Sequence, residues 1–279
     1  MSERFPAIDV ALARRRFSRA AESYSGAARL ETEVGARLLE RLDYMKVAPR
    51  RILDAGSGPA REARSLVARY RGAQIVALDF ALPLLPRRGL LQRLLGGGVI
   101  AVCGDLARLP LAAGSVELVW CNLALHWAND PLAVFREFER VLSPEGLLLF
   151  STLGPDTLKE LRAAAGSSRV HAFIDMHDLG DMLVAAGLSA PVMDMELISI
   201  DYGAGEQLLD DLRASGQTNA RADRRRGLAG RRLLEEFRRA PLRATFEVVY
   251  GHAWKRAVSK GEGQAEQTVK TVRVFKRLP

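Results

Sequence analysis

The chain of 279 residues carries a formal net charge of +8 and is 48% hydrophobic, which fits one large domain with insertions and excludes a chain disordered throughout. Its amino-terminal MSERFPAIDVALARRRF lacks the apolar stretch of a secretory signal, and no segment reaches the roughly 20 apolar residues of a membrane span. Cys103 and Cys121 fall inside predicted strands and not at disulfide-framework or metal-ligand spacing, so a reduced, cytoplasmic protein without a metal is expected.

The first 50 residues read as helical: 10–24 carry a basic face, and 28–45 repeat apolar residues through Leu30, Val34, Leu38, Leu39 and Leu42 until Pro49 ends the region. From Arg51 short apolar runs alternate with helical stretches, the pattern of βα units around a parallel sheet. Strands are predicted at 51–54, 74–79, 99–103, 116–121 and 147–152, nearly continuous in apolar residues as strands covered on both faces should be. Residues 60–70 and 131–142 are the clearest crossover helices, 81–95 is a weaker one interrupted by Pro83 and Pro86, and 143–146 is a turn into the fifth strand. Beyond it, 156–165 and 178–186 read as helices, 195–201 as a strand, and 204–240 as an insertion that opens with a helix at 207–214. A last strand at 244–255 is expected to run antiparallel at the sheet edge, with a charged tail from 257 that includes a short edge strand at 268–276. The sum is an α/β fold: a mostly parallel seven-stranded sheet with helices on both faces, an N-terminal helical cap over 1–49, a main domain over 50–256 with a helical lid insertion at about 204–240, and the tail 257–279.

ILDAGSGPA, residues 52–60, is a strand leading through a glycine-rich turn into a helix, the arrangement that lets backbone approach a ligand and points helix amides at it. Asp54, Gly56 and Gly58 belong to that turn. Asp79 ends the second strand, where a carboxylate can accept both hydroxyls of a ribose. After the third strand, Gly104-Asp105 offers a carboxylate for an adenine amino group, with the nearby amide of Leu106 facing the ring. CNLALHW, at the end of the fourth strand, sets Asn122, His126 and Trp127 over the carboxyl edge where ligands bind in open α/β sheets. Each feature alone could be structural, but together they stand in order at the ends of four successive strands.

Over about 50–152 these motifs resemble the Rossmann-like class I methyltransferases, and the resemblance implies S-adenosyl-L-methionine as cofactor, its methionine part on the first turn and its ribose on Asp79. Ala60 stands where that family has a third glycine, and its methyl group is expected to crowd the turn. RRRFSRAAESY, CNLALHW, FSTLGPDTLKELR, LRASGQTN and ATFEVVYGHAWK narrow the resemblance to the biotin-synthesis methyltransferases that esterify malonyl-acyl carrier protein. This implies that Tyr24 closes over the cofactor, that 205–240 form a lid above the substrate, and that a basic residue orients the malonyl carboxylate, with Arg213 the first choice and Arg169 the next. Such a carboxylate is ionised at neutral pH and needs no general base, but it does need a cation, preferably an arginine fork.

Arg221, Arg224, Arg225, Arg226, Arg231, Arg232, Arg238 and Arg239 cluster in or beside the lid, either as a docking face for an acidic carrier protein or as a solvated basic surface. The cluster lacks the interleaved aromatics of a nucleic-acid site. LHW, GPDTLKELR and DMHDLGD also resemble complex I assembly factors of this fold, reported as arginine hydroxylases, and a small-molecule methyltransferase with a more apolar lid is a third reading.

Overall fold

The structure, a computed structural model, describes residues 6–86, 99–224, 235 and 237–257. Its strands are β1 Arg51–Ala55, β2 Gln74–Asp79, β3 Val99–Cys103, β4 Val116–Cys121, β5 Leu142–Leu153, β6 Leu188–Tyr202 and β7 Leu242–Lys255. They form one sheet in the order β3-β2-β1-β4-β5-β7-β6. The helices are α1 Val10–Arg19, α2 Tyr24–Ala27, α3 Arg29–Arg41, α4 Arg61–Arg69, α5 Pro131–Val141, α6 Lys159–Ala165, α7 Met176–Ala185 and α8 Gly205–Ala214. No helix among the described residues is long and apolar enough to cross a membrane.

Strand side chains alternate between faces, and this chain fills both. Ile52, Ile75, Leu118, Trp120, Leu147, Leu149, Val248 and Tyr250 point into one core, with Leu30, Val34 and Leu38 of α3, Ala63 and Leu66 of α4, and Leu161 and Leu208 from α6 and α8. Leu53, Leu78, Val119, Cys121, Leu148, Phe150 and Val249 face the other core, with Val134, Phe135 and Phe138 of α5 and Leu179, Met182 and Leu183 of α7. Apolar residues on successive strand positions therefore mean a sheet covered on both sides. Local capping starts the helices on cue: the Asp9 carboxylate accepts from the Leu12 amide, Asp130 from Ala133 ahead of Pro131, and Asp175 from His177.

β1 pairs in parallel with both β2 and β4, so the strand order reverses between β1 and β4. In an open α/β sheet such a switch point leaves a crevice at the carboxyl ends of the strands. The same register places the ends of β1, β2, β3 and β4 beside one another.

Several expectations need correction. The last strand does run antiparallel, but β7 lies between β5 and β6, and β6 forms the edge. The burial shows why: β7 is almost continuously buried, whereas β6 alternates between half-buried and exposed positions. Residues 143–146 are extended within β5, yet the β4–β5 register slips across them and Glu145 takes a left-handed φ of 63°, so the predicted turn survives as a bulge. In the stretch 81–95 the described residues form a single 3-10 turn, Leu82–Leu84. The rest of that helix and the edge strand at 268–276 lie outside the described residues.

Gly251 allows β7 to sit between its neighbours, since a Cβ there would lie 2.4 Å from the Phe150 ring and 2.9 Å from the Met193 sulfur. Gly251→Ala is expected to lower unfolding free energy by about 1–3 kcal/mol through overpacking. Equilibrium denaturation measures it, and an unchanged midpoint would show that the sheet opens there without cost.

Candidate active site

A cavity of about 460 Å³ occupies the crevice, and Gly56, Gly58, Asp79, Gly104, Asp105, Leu106 and Asn122 all line it. The turn after β1 needs its glycines. Gly56 has φ 76°, and a Cβ on it would come within 2.1 Å of the Ala124 methyl. The amides of Gly56 and Ser57 donate to the Leu78 carbonyl at 2.7 and 3.0 Å, tying the turn to the end of β2.

Asp79 completes that tie. One carboxylate oxygen accepts the Gly58 amide at 3.0 Å and the other the Ala81 amide at 2.7 Å. The residue is 5% exposed. A carboxylate has about four acceptor positions, so each oxygen keeps capacity for a ribose hydroxyl while holding the turn in place.

At Ala60 the expected crowding falls on the residue's own backbone. Its own backbone is left-handed, φ 55° and ψ 44°, at the N-cap of α4, and the methyl is buried in the core beside Ala63 and Leu66. The departure from glycine therefore costs backbone strain, which burial of the methyl offsets.

The other expected cofactor residues divide. Asp105 is exposed at the mouth, its carboxylate accepting the Ala107 amide at 2.9 Å. Asn122 is engaged within the protein, donating to the Glu31 carbonyl at 2.9 Å and accepting the Ser151 hydroxyl at 2.7 Å. Asp54 is not on the cavity wall; it is 2% exposed, and its Oδ2 has no hydrogen-bond partner. Burial, followed by the neighbouring carboxylates of Glu62 and Asp79, pushes Asp54 well above the usual carboxylate range. Burial raises Glu31, Glu62 and Asp79 as well. Of these four carboxyl groups only Asp79 lines the cavity, and a positive charge beside it would stabilise its ionised form.

Tyr24 does come over the glycine turn, its ring 3.5 Å from where a Gly58 Cβ would stand. It joins an aromatic cover over the cavity: the Phe17 ring packs against Tyr24, Phe80 and Trp127 with centroids 6.3, 5.6 and 4.9 Å away. The Tyr24 hydroxyl is driven well above its ordinary range by burial and then by Glu31 and Asp79, so it stays protonated.

His126 lies outside this cavity. It lines a second, smaller one of about 50 Å³, together with Arg169, His171 and Phe173, and the two cavities share Trp127 and Gln217 as walls. Gln217 belongs to the LRASGQTN segment and donates to the Glu31 carboxylate. That segment is pinned from several sides. The Arg16 guanidinium donates to the carbonyls of Thr218 and Asn219, Asn219 donates to the Ser168 carbonyl at 2.7 Å, and the Ala220 amide donates to His171 Nε2 at 2.9 Å. Arg221 donates to the carbonyls of Ser167 and Val170 and pairs with Asp223.

Arg213 is not brought to either cavity. It is exposed on α8 and ion-paired with Asp210 at 2.6 Å and Glu206 at 3.2 Å. The lid arginines also change meaning, since Arg221 is a brace, Arg224 pairs with Asp9, and Arg238 pairs with Glu206. Arg225, Arg226, Arg231 and Arg232 lie outside the described residues. The sequence pointed to Trp127 but not to Phe17, His171, Arg16 or Gln217, although Arg16 and Phe17 stand inside RRRFSRAAESY and Gln217 inside LRASGQTN. Among the described residues no group of three or more His, Cys, Asp or Glu could hold a metal.

Comparison with known proteins places these features. Residues 53–150 match the family model described as a methyltransferase domain. The chain is 51% identical over 265 residues to a malonyl-acyl-carrier protein O-methyltransferase of Methylovorus sp., covering 89% of this chain and 90% of the relative. It is 50% identical to the protein of the same name from Gallionella capsiferriformans, covering 90% and 92%. Among solved structures, the YcgJ protein of Bacillus subtilis shares the fold at TM-score 0.57 and 18% identity, over 78% of this chain and 97% of that one.

Two substitutions test the crevice. Asp79→Ala removes an acceptor from two buried amides and is expected to weaken S-adenosylmethionine binding roughly ten- to hundredfold, the scale of a charge-assisted contact; calorimetry showing unchanged affinity in the folded variant would take Asp79 out of the site. For Ala60→Gly three contributions oppose: relief of about 1–2 kcal/mol from the left-handed backbone, a cost of about 0.4–1 kcal/mol from a freer unfolded chain, and about 0.8 kcal/mol for the lost methyl. Stability should therefore change by less than about 1 kcal/mol by chemical denaturation, and a larger loss would mean that packing of the methyl dominates.

Proposed function

The chain belongs to the malonyl-acyl-carrier protein O-methyltransferase family, and from that premise we propose that it transfers the methyl group of S-adenosylmethionine to the free carboxylate of malonyl-acyl carrier protein, giving an ester of the kind that primes biotin synthesis. The observation that carries this reading is the crevice itself: a glycine-rich turn tied to Asp79, closed by Tyr24, Phe17 and Trp127, and beside it a smaller chamber for an acceptor. The glycine turn and the Asp79 carboxylate beside it suit a cofactor that brings positive charge. Gly56, Gly58 and Asp79 would hold its methionine and ribose parts, and Asp105 and Leu106 its adenine.

The cofactor supplies an electrophilic methyl on a sulfonium; the new C–O bond forms as the S–C bond breaks, the electron pair stays on sulfur, and no proton moves. Nothing in the site has to act as a base. Burial holds His126 down to about 3, with His171 the second cause, and holds His171 down to about 4, with Arg221 and Arg16 next. Both imidazoles are neutral at physiological pH, and neither is needed to deprotonate a carboxylate that is already ionised. The protein's contribution is alignment and exclusion of water, the large proximity effect. The arginine-hydroxylase and small-molecule readings are not favoured by relatives of this identity.

The acidic carrier is proposed to dock on a basic surface beside the cavity mouth. Arg14, Arg15 and Arg19 are exposed on α1, which itself lines the cavity through Val10, Arg14 and Phe17 and is tied to the insertion by Arg16.

Incubation with methyl-labelled S-adenosylmethionine and malonyl-carrier protein, followed by intact mass measurement, is expected to show one methyl group added to the carrier. Label on an added quinone and none on the carrier would contradict the assignment. Replacing Arg15 and Arg19 with Ser should raise KM for the carrier substrate severalfold at low salt and little at high salt, leaving a short malonyl thioester unaffected. Equal losses on both substrates would argue against docking.

A further inference from the structure

We propose that the small chamber behind Trp127 is the acceptor's carboxylate pocket: Arg169 holds the terminal carboxylate of the malonyl group, and His126 donates a neutral hydrogen bond to it. This rests on the methyl-transfer reading above and names where its substrate sits.

The place is right. The chamber is next to the cofactor cavity, Trp127 and Gln217 line both, and each of these is held. Trp127 is clamped edge-on between Phe17 at 4.9 Å and His171 at 4.8 Å, while Gln217 is anchored on Glu31. At about 50 Å³ the chamber suits a few heavy atoms, such as a carboxylate and its methylene, and not a ring or a lipid tail.

The chemistry is also right. Among the described residues that line the chamber, Arg169 is the one that is permanently charged, and the surrounding Leu153, Leu161, Phe173 and Phe246 strengthen its pull by excluding water. His126 Nδ1 is buried with no hydrogen-bond partner, a deficit that native proteins rarely carry without a ligand or water to fill it. Because burial keeps the ring neutral, it can offer an N–H without adding a second positive charge. Methylation then cancels the charge that Arg169 binds, so the ester is held less tightly than the acid and can leave. Arg213, exposed and paired with two acids of its own helix, has no such surroundings.

The test uses the full chain loaded with S-adenosylhomocysteine, so that binding is read without turnover. Calorimetry with a short malonyl thioester and with the acetyl thioester, which lacks the carboxylate, should show wild type preferring malonyl. Arg169→Gln should weaken malonyl binding roughly ten- to hundredfold and level the two thioesters, Arg169→Lys should recover part of the preference, and His126→Phe should weaken malonyl binding severalfold. S-adenosylhomocysteine affinity should stay within about twofold throughout, the scale left by an interaction that does not reach the cofactor; it also reports that each variant is folded. If wild type methylates malonyl-carrier protein but Arg169→Gln and His126→Phe keep full preference for malonyl, the chamber assignment is overturned and the methyl-transfer reading stands. If wild type neither distinguishes the thioesters nor transfers methyl to the carrier, both are overturned.

Discussion

The Asp79 carboxylate joins the ends of the first two strands into one ligand site. Its two oxygens take the Gly58 amide from the turn after β1 and the Ala81 amide from the segment after β2, at the point where strand order reverses and the sheet opens. Without that acceptor two buried amides would be orphaned, and the glycine turn would lose one of its ties to the end of β2. Gly56 at positive φ, Ala60 in the left-handed region and the close approach of Ala124 all presuppose the turn in this place.

A second layer of constraint comes from far along the chain. Segment 217–221 is fastened by Arg16, His171, Asn219 and Arg221, largely to backbone carbonyls. Bonds of this sort fix position without reading sequence at the other end. They hold Gln217 where it lines both cavities, and they tie the N-terminal helices to residues 217–221. The arginines therefore divide: Arg16 and Arg221 turn inward and brace the walls, while Arg14, Arg15 and Arg19 stay exposed on α1.

Much of this was legible in the sequence. Strands β1 to β5 announce themselves as continuous apolar runs because both faces of the sheet are covered, and the glycine turn and Asp79 are identifiable because close backbone approach restricts which residues can serve. The place of β7 between β5 and β6 was not legible from its alternation alone; its run of buried residues, longer than an edge strand needs, was the available signal. The surroundings of Arg213 were not legible, because a helical arginine looks the same whether it faces a cavity or an acid. Here Asp210, three residues earlier, supplies the acid at the spacing that helical ion pairs favour. Arg16 and Arg221 could not be identified as braces, because their partners are carbonyls distant in sequence. Nor could Asp54 be separated from the cavity wall, since the inward face of β1 and its carboxyl end differ only in three dimensions.

Cofactor and acceptor are proposed to occupy adjoining cavities that share Trp127 and Gln217 as lining. A crystal structure with S-adenosylhomocysteine and a malonyl thioester bound together tests it most directly. The account places the homocysteine sulfur in the larger cavity beside the Gly56–Gly58 turn, and the malonyl carboxylate in the smaller one within hydrogen-bonding distance of the Arg169 guanidinium and His126 Nδ1. A carboxylate ordered instead against Arg213 on α8, with the small chamber holding only water, would contradict it.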